Sequence, residues 1–239
     1  MKRSVALFST LRSTSTRCPK KLTRRFSVGY SLAEAFAWKV RNVLGSRRFD
    51  DHMIAIHKSD TELRDLFSGL NVVDRTGESI VGAPPLNVIF APLRDSECSH
   101  AMWANPCLLF VPSRVYVAAI DTFNSLEPES ATSTYENRNW FFDSDGVLVN
   151  GGDTSVVATQ GIKPMLECMH AFHIFNIKKM LGSGSYWSGA QRDPVPFVVK
   201  AGERMLMDVD TEFDFELLDA YLSKKNITFD VLKGILSED

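Results

Sequence analysis

The chain has 239 residues, 44% of them hydrophobic and 23% charged, with a formal net charge of -2. That length suits a single α/β domain with a sizeable core. The near-neutral balance excludes a general electrostatic drive toward nucleic acid, so any anion site must be local. No apolar run reaches the roughly 18 residues that mark a membrane span.

In chain order, residues 5–8 predict a buried strand, and the basic Ser/Thr/Pro-rich stretch 9–27 predicts a long loop. The first 33 residues hold eight Lys or Arg and no Asp or Glu, a bias that an organelle-targeting peptide shares. The apolar run and the helix after it favour a folded segment of a cytoplasmic protein instead. Ser31 and Glu34 have capping-box spacing, which predicts a helix to about residue 44. A strand at 52–56 and a short helix at 61–67 follow, with Leu63, Leu66 and Phe67 as its apolar face. Residues 72–73 and 87–90 are further strand candidates. Val117, Ala118, Ile120 and Phe123 support a helix over 113–123. This alternation predicts a mainly parallel, Rossmann-like sheet with helices on both faces and ligands at the carboxyl ends of its strands.

Residues 127–189 break the rhythm with turn-rich DSDG and NGGD, the strand candidate MHAFHIF and a Gly/Ser-rich tail. They read as an arm inserted in one domain spanning 1–239. Trp140, Phe141 and Phe142 suit packing against a second subunit, and packing within the chain accounts for them equally well. FVVK and RMLM then look strand-like. MDVDTEFDFELLDAYL reads as strand, acidic turn and helix, with Thr211 and Asp214 at capping spacing and Phe215, Leu218 and Leu222 in an apolar stripe.

The four cysteines are widely spaced and show no zinc-ribbon or thioredoxin motif, so they read as reduced thiols. Among five histidines only His170 and His173 are close, which gives no histidine-rich metal site and suggests a packing role for both.

Two segments have the side chains for phosphate chemistry. Arg12, Ser15, Thr16, Arg17, Lys20 and Lys21 fall in one loop, where guanidinium forks and ammonium groups can hold phosphate oxygens. The loop lacks the glycines and GK[ST] ending of a Walker motif. Asp208 and Asp210, two residues apart, point to one side of an extended backbone and can share Mg2+ with a substrate's phosphates. A solvated basic loop and a solvated acidic turn explain each segment separately.

Together the segments resemble the sugar-acid cytidylyltransferases, which make CMP-sialate, CMP-Kdo and related activated sugars. RSTSTRCPKKL at 12–22 is similar to that family's signature loop at Arg12, Ser15, Thr16, Arg17, Pro19 and Lys21. DVDTEFDFEL at 208–217 is similar to its metal-binding turn. The resemblance implies a nucleotide-diphospho-sugar transferase fold, with a dimerisation arm that would make the protein a homodimer. It implies CTP phosphates on Arg12, Arg17 and Lys21, a loop shaped by Ser15, and Asn105 near the cytosine and sugar. Lys21 and Arg12 would be the catalytic cations, and Asp208 and Asp210 would hold Mg2+. The implied reaction transfers CMP from CTP to the anomeric hydroxyl of an acidic keto sugar and releases pyrophosphate. WANPCLLF lacks the acidic residue usual in the CMP-Kdo branch, which tilts the acceptor toward a sialate-like acid. Gln160 and Glu167 resemble polar residues of the sugar side. Ser13 and Thr14 replace the usual small residues, and Cys107, Leu108 and Leu109 replace a polar and proline pattern. Another nucleotide or acceptor, or a nucleotide-binding or assembly protein without turnover, therefore remains open.

Overall fold

A computed structural model describes residues 3–151, 159–200 and 202–237. The strands are β1 (Val5–Leu11), β2 (Asp51–His57), β3 (Val72–Arg75), β4 (His100–Ala104), β5 (Ala131–Asn137), β6 (Met165–Asn176) and β7 (Val195–Val198). The helices are α1 (Leu32–Gly45), α2 (Thr61–Leu66), α3 (Leu86–Ile89), α4 (Ser113–Leu126), α5 (Ile177–Ser183), α6 (Glu212–Lys224) and α7 (Phe229–Ser237). One seven-stranded sheet runs in the order β3-β2-β1-β4-β6-β5-β7. β3, β2, β1 and β4 are mutually parallel. β6 is antiparallel to both β4 and β5, and β7 returns parallel to β5. The result is the expected mostly parallel sheet flanked by helices, with one reversed strand inside it.

Strand alternation divides the core in two. Leu7 and Leu11 of β1 face the larger core with Phe36, Val40, Tyr116, Ile120, Phe215 and Leu218, while Phe8 faces a smaller one with Met53, Phe90, Phe175 and Met180. α1 starts where its capping box predicts: Ser31 Oγ accepts from the Glu34 amide at 3.2 Å, and Glu34 Oε2 accepts from the Ser31 amide at 2.7 Å. β1 lies inside the sheet, and Cys18, Leu22, Phe26 and Tyr30 beyond it are buried. The apolar residues of the basic N-terminal region are thus part of the core, while its Arg17, Lys20 and Arg25 are exposed.

Three sequence expectations need correction. Residues 87–90 belong to a short helix after Pro85, since a brief apolar run carries no period able to separate helix from strand. Most of RMLM lies in a 3-10 turn at Glu203–Leu206, where the Met205 amide bonds back to the Gly202 carbonyl. The strand expected before the acidic pair shrinks to a single bridge between Leu108 and Asp208. Within 127–189, β5 and β6 pair in the sheet and α5 follows β6, and the described residues of the excursion between β5 and β6 are 138–151 and 159–164. Among the described residues no helix is long and apolar enough to cross a membrane.

Candidate active site

The basic loop leaves the carboxyl end of β1 and is pinned at several points. The Ser13 amide donates to Asp60 Oδ2 at 2.8 Å, so Asp60 fixes the loop from the β2–α2 connection. Ser15 Oγ accepts from the Cys18 amide at 3.3 Å within the loop. Lys20 takes a left-handed backbone, and its carbonyl accepts from the Thr23 and Arg24 amides. Beyond this turn, Phe26 stacks on Phe215 of α6 at 4.8 Å between ring centroids, and the Arg24 guanidinium lies 4.1 Å from the same ring. Arg24 also pairs with Glu212. These aromatic contacts bring the two ends of the chain together.

On the acidic side, Asp214 organises the turn. Its Oδ2 accepts from the amides of Asp210 at 3.1 Å and Thr211 at 2.7 Å, completing the predicted capping box. Asp210 then meets the loop: its Oδ1 is 3.2 Å from Lys21 Nζ and 3.1 Å from Arg17 Nη2. Lys21 also donates to the Val209 carbonyl at 2.7 Å. Burial opposes the charge on Lys21, but neighbouring Cys107 and Asp210 hold its pKa above the ordinary value. Burial pushes the Cys107 thiol up to about 12, so at neutral pH it is uncharged and Asp210 is the effective partner. The Arg17 contact is largely exposed and contributes little stability.

Asp208 differs from Asp210. Its Oδ1 is buried without a hydrogen-bond partner, and its Oδ2 has only a long contact, 3.5 Å, from Asn105 Nδ2. Burial and the nearby Asp210 raise its pKa. An orphaned carboxylate oxygen beside a second carboxylate is a hard donor pair, and it fits Mg2+.

Arg12, Ser15, Arg17, Lys21, Asn105 and Asp210 line one cavity of about 360 Å³ at the carboxyl ends of β1 and β4. Asp208 is not among the lining residues; its contact with Asn105 links it to the cavity wall. Arg12 donates to the Ile80 and Gly82 carbonyls at 3.0 and 3.3 Å, so it braces the cavity's far rim. Asn105 Oδ1 accepts from the Cys107 amide at 2.9 Å and thereby shapes its own loop as well. Of the larger cavities, one holds Lys179 with Glu129 and Asp193 and another lies on the outer side of the same basic loop, but neither includes Lys21 or Asp210.

Two cations have roles that sequence reading left undefined. Arg75 is buried and donates to Leu11 and Ser79 carbonyls, tying β1 to the rim turn. Burial, and then the like charge of Arg12, lower it to about 10. Lys39 of α1 is buried and donates to the Leu108 and Leu109 carbonyls at 2.9 and 3.2 Å, holding the segment that bridges Asp208. Burial lowers its pKa to about 7. The signal for Lys39 was present, since it stands between Phe36 and Val43 on an otherwise apolar helix face. Glu167 accepts from Asn137 Nδ2 at 2.7 Å on an exposed stretch of β6, while the Gln160 side chain lies outside the described residues.

No protein-family model matches the chain, and no curated protein gives a significant match. Solved structures do. A 4-diphosphocytidyl-2C-methyl-D-erythritol synthase from Anaerococcus prevotii superposes with a TM-score of 0.62 at 14% identity, covering 92% of this chain and 96% of that one. A CMP:2-keto-3-deoxy-manno-octonic acid synthetase complexed with CTP gives 0.62 at 11% identity, over 93% and 99%. The fold is of the nucleotidyltransferase type. A bifunctional IspDF from Campylobacter jejuni gives 0.59 at 11% identity, over 89% of this chain and 53% of its own length. At such identities the likeness is one of fold, and function must be argued from the site.

Proposed function

We propose that this nucleotidyltransferase-fold protein is a magnesium-dependent cytidylyltransferase that activates an acidic keto sugar, sialate-like rather than Kdo-like. The observation that carries the proposal is the convergence of Arg12, Arg17 and Lys21 with Asp210, and with the orphaned Asp208 carboxylate behind it, at one cavity. Two fold relatives whose names specify cytidyl chemistry support the choice of CTP. The sialate-like acceptor rests on the WANPCLLF segment alone.

In this reading Arg12 and Arg17 bind phosphate oxygens with their guanidinium forks, and Lys21 exchanges Asp210 for the nucleotide's phosphates. Asp208 and Asp210 hold Mg2+, which would offset charge on the phosphates during transfer. The acceptor's anomeric oxygen forms a bond to the α-phosphorus as the bond to pyrophosphate breaks, and the hydroxyl proton passes to solvent. Arg12, Arg17 and Lys21 stabilise the charge that develops on the departing pyrophosphate, and no covalent enzyme intermediate is required. We also place a homodimer contact on the excursion between β5 and β6, where Phe142, Val147 and Val149 are exposed.

Pyrophosphate release tests the proposal, using the four NTPs in turn with sialate-like, Kdo-like and polyol-phosphate acceptors. Release specific to CTP and a sialate-like acid is expected. Release with another nucleotide or acceptor would reassign the substrate, and nucleotide binding without release would reassign the protein as a non-catalytic binder. Asp208→Asn or Asp210→Asn should slow turnover by at least about tenfold, on the order of 1.4 kcal/mol in barrier. An undiminished rate in the folded double variant would exclude these carboxylates from metal binding.

A further inference from the structure

On β6, outside the proposed magnesium pair, three softer donors converge. Thr132 pairs with His173 and Thr134 with Cys168, so two residue steps on β5 face five on β6. The extra residues form a bulge in which His170 has φ 55°. Cross-strand partners share a sheet face, so the bulge returns Cys168 and His173 to the same side despite their odd separation. The Cys168 sulfur and nitrogens of His170 and His173 lie within 4.8 Å of one another.

The geometry points to a transition-metal site formed by Cys168, His170 and His173, of a kind suited to Zn2+. Zinc bonds of about 2.0–2.1 Å to nitrogen and about 2.3 Å to sulfur separate neighbouring tetrahedral ligands by roughly 3.3–3.7 Å. His170 Nδ1 and His173 Nε2 are 3.2 Å apart. A thiolate with two imidazoles selects a borderline ion such as Zn2+ over Mg2+, which separates this site from Asp208 and Asp210.

The surroundings fix the donors. Thr132 Oγ1 is 2.7 Å from His173 Nδ1, and accepting a hydrogen bond there leaves the Nε2 lone pair facing His170. The same hydroxyl is 3.6 Å from the Cys168 sulfur. The His173 ring is buried between Trp103, 5.7 Å away with 8° between planes, and Tyr186, 4.3 Å away. His170 is exposed, which gives the ion a route in and leaves a fourth position for water or another oxygen donor. On binding, Cys168 coordinates as thiolate and its proton passes to solvent. Trp103 also lines the proposed nucleotide cavity, and His170 feels the charges of Asp208 and Asp210, so the two sites adjoin.

Cobalt provides the test, because a thiolate–Co2+ bond produces a near-ultraviolet charge-transfer band and tetrahedral coordination produces visible bands. The chelator-treated full-length protein, titrated with Co2+ alone, should show both at one ion per chain, and Zn2+ should abolish them. Cys168→Ser should remove the charge-transfer band, and His170→Ala should weaken binding. The near-isosteric Thr132→Val should weaken it roughly 10- to 100-fold. Circular dichroism checks that each variant folds. Asp208→Asn with Asp210→Asn should leave the thiolate charge-transfer band in place, even if the proposed magnesium reading fails. The proposal is overturned if the wild type shows no charge-transfer band, or if the band survives Cys168→Ser.

Discussion

At the residue scale, Lys39 shows how a buried amine can hold a loop. A neutral lysine amine has two N–H donors, matching the two carbonyls at Leu108 and Leu109. Its folded pKa of about 7 lies below the ordinary 10.5. Between those values the unfolded chain holds a proton that the folded chain lacks, so wild-type stability rises with pH across that window and the contribution is lost as pH falls toward 7. Lys39→Met removes this term and leaves two carbonyls without a donor. Urea unfolding of both proteins between about pH 7 and about pH 9 should show the wild type gaining stability relative to Lys39→Met as pH rises. A constant difference would mean that Lys39 is charged in the folded state. The acidic residues were easier to identify from sequence than their states. Spacing singled out Asp208 and Asp210 together, whereas only the fold separates an orphaned carboxylate from one engaged by Lys21 and Arg17.

At the element scale, the strongest sequence signals were those whose partners lie within one turn. The capping boxes of α1 and α6 stand where Ser31/Glu34 and Thr211/Asp214 predict them, because both donors and both acceptors are local. The bulge in β6 was not legible, since it depends on register against β5, and it brings together Cys168, His170 and His173, whose sequence spacing matches no familiar metal motif. The helix at Leu86–Ile89 and the turn at Glu203–Leu206 look like strands in sequence because runs of about four residues carry too little period to distinguish the two. The cap of α6 also has a consequence for the site, as Asp214 binds the backbone of both Thr211 and Asp210. Thr211→Ala should cost about 1 kcal/mol of stability, read from the urea midpoint at unchanged slope. No shift in the midpoint would show that the cap is not holding this turn.

At the scale of the whole molecule, the basic loop and the acidic turn are nearly two hundred residues apart in sequence, and they meet because α6 packs against the chain leaving β1. Phe26 on Phe215 and Arg24 on Glu212 make that contact, and neither pairing has a local sequence signature. β1 is also a central strand, so deleting residues 1–25 should give insoluble or unfolded protein. A soluble product with a native circular dichroism spectrum would contradict this placement of the N-terminal region. If the two ends form one magnesium–nucleotide site, calorimetric titration with CTP, with and without Mg2+, reads it out. Wild-type protein should bind CTP more tightly with Mg2+, Lys21→Ala should weaken binding in both conditions, and the folded Asp208→Asn/Asp210→Asn variant should lose the magnesium effect. CTP affinity that is indifferent to Mg2+, to Lys21 and to both aspartates would mean that the two ends do not form this site.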